Sequence, residues 1–353
     1  MAVAVGVYLL PSPIDPKPHL KGPPPALEGP LAVNTRLQRG RRLFTGKLHG
    51  PESFAADEQN VYTGSVDGKL WRIGPDDSLT FITHTGQNRP ECSSTDYEPV
   101  CGRPHGVRLD RRGQLIVADS YFGLYSVDPQ MGEKTLANGV PFAFLNGLEI
   151  SSRTGVVYFT DSSSRWGRRH VMELNSLGRL LSYEPQTGNV TVLLDSLYMP
   201  NGIALSPDET FLLLAETSIA RILYWLKGPK AGTKEVVLDN MIGYPDNIRL
   251  SDHGTFLVGM TTPRFQKVLP PFLDLVAPYP AVKRLLQIIP LSWFNILLPY
   301  YGLVLELGLD GEIVGTLHDP QGRLTWAVSD VFQHRGRTYL GSTDLPFLPV
   351  LES

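Results

Sequence analysis

Six residues recur where the short apolar repeats of this chain begin. They are Glu52 in GPES, His105 in RPHG, Asn146 in LNGL, Asn201 in PNGI, and Asp246 with Asn247 in PDNI. With His105 set aside, the other five offer side-chain oxygens, two sets from carboxylates and three from amides. A hard cation such as calcium takes about six to eight oxygens. Two carboxylates match its double charge, and the amides donate carbonyl oxygens without adding charge. Positions left open take water or substrate, and an open, oxygen-lined cation polarises a carbonyl or phosphoryl oxygen. A histidine beside it has an unperturbed pKa suited to a general base near neutral pH. Taken singly, each residue reads more simply. Asn-Gly and Asp-Asn pairs after proline are turn formers, and a lone histidine is more often packed or hydrogen-bonded than a base. Recurrence at one phase in several repeats favours the shared site, and it brings Glu52, a poor turn residue, into register.

For these residues to meet, the repeats must converge. From Gly50 onward a turn, a short strand, a second turn and a very apolar strand follow one another, as in GRPHGVRLDRRGQLIVADSYFGLYSV and PNGIALSPDETFLLLAETSIARILYW. Repeats of roughly 40 to 55 residues fit four-stranded propeller blades. Six copies predict an all-β, six-bladed β-propeller over residues 31–353, with the innermost strands starting at a central channel. The segment Thr35–Lys47 supplies a strand that pairs with the last blade and closes the ring, which removes open sheet edges. One gap is too long for a loop. Residues 263–300 (within FQKVLPPFLDLVAPYPAVKRLLQIIPLSWFNILLPYY) have helix-like apolar spacing and predict a helical lid between the fifth and sixth inner strands. Leu285–Leu305 carries no charge, but Gln287, Pro290, Asn295 and Pro299 interrupt it as a membrane span. Lying on a membrane surface is the second reading of this lid.

The 353 residues carry a net charge of -3 without a basic stripe, which excludes a nucleic-acid partner of the usual electrostatic kind. The two cysteines, Cys92 and Cys101, lack the CxxC spacing of zinc sites. They are either two free thiols or a disulfide closing a short polar loop, and the disulfide implies an oxidising compartment. The sequon Asn189-Val190-Thr191 agrees with a secretory route and makes Asn189 a glycosylation candidate. Residues 1–30 stand apart. Met1–Leu10 is wholly apolar, about half a membrane span, with no basic residue before it as a signal peptide has. It reads as the remnant of a longer anchor. Pro11–Pro30 is proline-rich and predicts a stiff, extended stalk.

Several longer motifs carry a resemblance: SPIDP (12–16), GPES (50–53), EPVCGRP (98–104), YFTDSSS (158–164), NGIALSP (201–207), PDNIR (245–249), LVLEL (303–307) and LHDP (317–320). From Ser12 to Leu351 the chain resembles the six-bladed propellers of the strictosidine synthase-like, paraoxonase and gluconolactonase group. The resemblance implies Ca2+ on Glu52, Asn146, Asn201, Asp246 and Asn247, and the histidine near that metal at His105. It also matches Cys92 and Cys101 to the loop disulfide of the group. The second histidine of paraoxonases falls in VADSY (117–121), at Asp119 and Ser120. The acids that hold their second calcium fall on Ser53 and Gly147, which argues against a second ion. The glutamate of true strictosidine synthases falls on Ser329, which argues against alkaloid condensation. Trp326 belongs either at the channel mouth or in core packing. The implied activity is calcium-dependent hydrolysis of a small-molecule aryl ester or lactone. The implied setting is a membrane, in the endoplasmic reticulum or at the cell surface, with the propeller on the lumenal or extracellular side. Attachment would come through an N-terminal anchor or the lid. The alternative is a non-catalytic, membrane-tethered binding propeller whose metal only braces the channel.

Overall fold

In the computed structural model each repeat becomes an antiparallel sheet, with strands in chain order in five of the six and β1 added to the last. The structure describes residues 12–352 apart from 133, 137–141, 227, 266–270 and 298, so the apolar stretch Met1–Leu10 lies outside the described residues. Among the described residues, strands β1–β24 form six four-stranded sheets. The innermost strands are β2 (Phe54–Ala56), β6 (Pro104–Leu109), β10 (Leu145–Ile150), β14 (Pro200–Leu205), β18 (Gly243–Leu250) and β22 (Val328–His334). They neighbour one another around the channel. Burial on both faces explains their apolar runs: every residue of β14 is buried. Neighbouring blades share apolar seams. Tyr158 of the third blade packs with Ile203, Leu212 and Leu214 of the fourth, and Phe54 of the first with Phe332 and Tyr339 of the last. The ring closes as expected from Thr35–Lys47. Strand β1 (Gly40–Leu43) pairs antiparallel with β24 (Leu348–Glu352), Gly40 opposite Leu351.

Five of the six innermost strands carry a one-residue register shift. In β10 it falls between Leu145 and Leu148, in β14 between Pro200 and Ile203, in β18 between Pro245 and Ile248. In β6 and β22 it falls between Pro104 and Gly106 and between Val328 and Val331. The Asn-Gly pairs sit inside these shifts and are not turns. Neither Gly147 nor Gly202 has a positive φ. Their lack of a Cβ serves close approach instead. A Cβ on Gly147 would stand 2.5 Å from Asn201 O, and one on Gly202 would stand 2.3 Å from Asn247 Cα.

The lid lies within the fifth blade, between β19 (Phe256–Pro263) and β20 (Gly302–Leu307). Its described part holds short helices Phe272–Val276 and Pro280–Leu286 and a 3-10 run Leu291–Leu297. No helix among the described residues is long and apolar enough to cross a membrane. Residues 12–30 correct one expectation, because they do not project as a stalk. Proline keeps them extended, and the remaining backbone groups pair with the propeller. Lys17 N–H donates to Glu173 O at 2.9 Å and His19 N–H to Ala277 O at 3.1 Å. Arg264 donates to Gly22 O at 2.9 Å, and Ile14 is buried. The segment is a strap across the lid side. A disulfide joins Cys92 and Cys101 in the loop between the first and second blades, Cα to Cα 5.5 Å.

Candidate functional site

The register shifts do what a bulge does best, which is to re-aim side chains where a ladder would turn them aside. Asn146, Asn201 and Asp246 lie in three successive shifts, and with Glu52 and His105 they line one cavity of about 810 Å³ at the channel. The Oδ1 atoms of Asn146, Asn201 and Asp246 are all buried and accept no hydrogen bond. An unsatisfied buried acceptor costs about 1–3 kcal/mol, so three on one cavity floor mark a place that a cation would satisfy. The orientation of Asn146 is fixed. Ser162 Oγ donates to Pro200 O at 2.7 Å, so it can only accept from Asn146 Nδ2, at 3.2 Å, which leaves Oδ1 free. Burial pushes the Asp246 carboxyl well above the ordinary carboxylate range, and the nearby charges of Glu52 and Asp330 add to it. Asn247 is buried beside Asp246 on β18 but does not line the cavity.

Glu52 and His105 belong to a buried charge network. Glu52 Oε2 accepts from Arg103 Nη2 at 2.6 Å and stands 3.0 Å from His105 Nε2. Burial opposes ionisation of Glu52, but His105, Arg103 and Arg168 together outweigh it and hold the carboxyl at about 2. Arg168 grips Glu98 through Nε at 2.6 Å and Nη2 at 2.8 Å, and Nη2 also stands 2.9 Å from His105 Nε2. Ser120 donates its hydroxyl to Leu145 O at 2.8 Å, so its oxygen accepts from His105 Nδ1–H. That places a proton on Nδ1, and Nε2 stands between Glu52 Oε2 at 3.0 Å and Arg168 Nη2 at 2.9 Å. Burial lowers the His105 pKa, the two arginines add to this, and Glu52 opposes it.

The other sequence candidates find definite places. Ser120, at the position of a second histidine in paraoxonases, orients His105 instead. Ser329 Oγ donates to Glu52 O at 2.8 Å, supporting the backbone of a channel residue. Ser53 Oγ faces Arg108 Nη1 at 3.4 Å and Arg249 Nη2 at 3.3 Å, a setting that repels a second cation. Asp119 accepts backbone N–H groups of Arg103, Tyr121 and Phe122. Trp326 is off the cavity wall and packs at a tilt against Tyr300, ring centroids 4.9 Å apart. Asn189 begins the outermost strand of the third blade and is exposed. Sequence reasoning missed Glu98, Arg103 and Arg168. Glu98 and Arg103 lay in plain view within EPVCGRP. Above the polar floor the walls are apolar, among them Phe144, Met172 and Leu174, with Phe272, Val276 and Phe294 from the lid.

A six-bladed ring whose innermost strands aim oxygens into a capped channel defines a class, the channel-site β-propellers. Within it, the chain belongs to the strictosidine synthase-like family that includes the adipocyte plasma membrane-associated proteins. It is 41% identical to the human adipocyte plasma membrane-associated protein, covering 97% of this chain and 84% of that one. It is 40% identical to the chicken protein of the same name, over 96% and 84%, and 38% identical to Arabidopsis thaliana protein strictosidine synthase-like 3, over 90% and 85%. The strictosidine synthase family model matches residues 146–229, and the strictosidine synthase-like N-terminal model matches residues 29–73. Among solved structures, a gluconolactonase from Xanthomonas campestris shares the fold at TM-score 0.60 and 16% identity, over 98% of this chain and 99% of that one. Regucalcin, a calcium-binding protein from Agrobacterium tumefaciens, does so at 0.59 and 14%, over 90% and 95%.

Proposed function

We propose that the chain is a calcium-dependent hydrolase of aryl esters or lactones acting at the channel floor, with Glu52, Asn146, Asn201 and Asp246 holding the cation. The observation that carries this is the set of three buried, partnerless oxygens on Asn146, Asn201 and Asp246. A fold shared with a gluconolactonase and a calcium-binding regucalcin supports it as fold-level analogy. When bound, calcium supplies Lewis-acid polarisation of a carbonyl oxygen. The chain supplies the rest. The apolar walls take the acyl or aryl group and exclude bulk water. Ser120 fixes the His105 ring through Nδ1–H, and Nε2 is the nitrogen that would accept a proton from an attacking water. Arg168 and Glu52 must first give up that nitrogen, which they approach at 2.9 Å and 3.0 Å. This double contact is the observation that favours the second reading, a non-catalytic binding propeller with a structural metal.

The names of the relatives support a membrane setting. The disulfide supports an oxidising, lumenal or extracellular side, where exposed Asn189 would be open to glycosylation.

The test is a panel of aryl esters and lactones with purified protein, with and without chelator. Turnover is expected to vanish with chelator and return with calcium. His105→Gln is expected to lower turnover at least about tenfold while the calcium-induced rise in melting temperature stays. A calcium-induced rise with no turnover on any substrate decides for the binding reading. A melting curve indifferent to calcium and chelator rejects the metal site.

A further inference from the structure

The cavity has two chemically different ends. Its wall carries the carboxyl groups of Glu52, Glu98, Asp246 and Asp344, and these gather in the field of Arg103 and Arg168. Elsewhere the described wall carries Lys21 and Lys283. Lys21 comes from the N-terminal strap, and Lys283 comes from the lid helix Pro280–Leu286. Both side chains are buried, Lys21 at 4% exposure and Lys283 at 0%.

Their charge is not balanced. Lys21 Nζ donates to Tyr244 Oη at 3.1 Å and stands 3.5 Å from Asp274 Oδ1. Asp274 is shared, because it also pairs with Arg264 Nε at 3.0 Å and accepts from the Tyr244 hydroxyl. Among the described residues Lys283 Nζ has only backbone partners, donating to Ala277 O at 3.1 Å and to Lys17 O. An ammonium has three N–H donors, so one remains for the cavity. Glu173 reaches Lys283 through its field but forms no ion pair with it among the described residues, and its Oε1 accepts Asp15 N–H at 2.8 Å. Lys21 and Arg264 thus share the carboxylate of Asp274, and Lys283 has no carboxylate in ion-pair contact among the described residues. Buried charge without a counter-charge is unfavourable, and burial accordingly lowers both lysines to about 8.

We infer that the strap and lid form an anion-binding subsite, and that the cavity takes an amphipathic anion. Its aliphatic or aryl chain lies on the apolar walls, and its carboxylate or phosphate is held by Lys21 and Lys283. The subsite deepens the proposed function by naming the kind of molecule that enters the same cavity. It does not require that molecule to be hydrolysed.

Calorimetric titration of the full chain with dodecanoate, dodecyl phosphate, dodecanol and inorganic phosphate tests this. At least one of the two amphipathic anions is expected to bind about 10- to 100-fold more tightly than dodecanol, the scale of a charge-assisted hydrogen bond. The tighter of the two identifies the headgroup. Lys21→Met and Lys283→Met should each remove most of that preference and leave dodecanol affinity near wild type. Lys283→Arg should retain it. Lys283 also ties the strap to the lid, so Lys283→Met can unseat the strap; Lys21→Met touches neither of those carbonyls and keeps the test decisive. Equal binding of both anions and dodecanol, or an anion preference that survives both methionine variants, overturns the subsite. Inorganic phosphate binding as tightly as dodecyl phosphate overturns the amphipathic requirement. Anion binding without ester turnover would sink the hydrolase reading alone, and turnover without anion preference would sink the subsite alone.

Discussion

Asn201 is held by its backbone and by a side-chain hydrogen bond to Asp246, and only its amide oxygen is unpartnered. Its carbonyl accepts from Thr160 Oγ1 at 2.7 Å, while Oδ1 faces the cavity unpartnered. Asn201→Ala therefore keeps the backbone stitch and removes one cation ligand. Melting temperature in chelator should change little, and the rise caused by added calcium should shrink sharply, since a ligand stabilises the native state only as far as it binds. Asp246 adds a sign. Its folded-state pKa is raised, so without a cation its burial favours the folded state at low pH and opposes it as pH rises through that value. Calcium needs the ionised form. The calcium-induced melting shift should therefore be larger at about pH 8 than at about pH 5.5, and Asp246→Asn should flatten the difference. The oxygens were legible in the sequence because they recur at one phase of a repeat. Arg168 was not, since it reaches His105 across 63 residues from a loop that no repeat predicts. His105 was thus readable as a base but not as the partner of an arginine and a glutamate.

At the scale of elements, the site depends on innermost strands that approach closely while slipping one residue in register. Gly202 is the tightest test of that approach. Gly202→Ala would set a Cβ 2.3 Å from Asn247 Cα, backbone that cannot swing aside. A loss of about 1–3 kcal/mol or more is expected in denaturant unfolding, the scale of overpacking. Gly315→Ala, whose Cβ would meet only Arg36 Nη1 at 4.0 Å, should cost little; equal losses at both positions would remove the close-approach account. The blades, the closing strand and the lid were legible because their apolar periods and lengths differ from one another. The Asn-Gly pairs are ambiguous taken singly, because the same dipeptide serves a turn or a crowded strand, and only the neighbouring blade tells which. The strap misled for a similar reason. Proline content sets extension, whereas docking is set by the carbonyls of Glu173 and Ala277, far along the chain.

At the scale of the whole molecule, one side is unusually apolar. Ile288, Trp293, Ile296 and Tyr300 of the lid are each 68–87% exposed. Such a surface suits the interface of a bilayer. The double variant Trp293→Ser, Ile296→Ser should lower co-sedimentation with phosphatidylcholine vesicles about tenfold or more, at unchanged melting temperature. Undiminished co-sedimentation would remove the lid as the contact. The closing blade bears on how the chain is made. Gly40 pairs with Leu351, so β1 leaves the ribosome roughly 300 residues ahead of its partner. At about 5–20 residues per second, β1 waits roughly 15 to 60 s with an open edge. Unpaired edges recruit other chains, and charged side chains discourage this. Strand β1 reads Gly-Arg-Arg-Leu. In the finished ring Arg41 pairs with Asp77 at 2.9 Å and Glu352 at 2.8 Å, and the Arg42 guanidinium lies 4.2 Å from the Phe347 ring centre. The arginines that keep the nascent chain solitary become the clasp once its other end arrives.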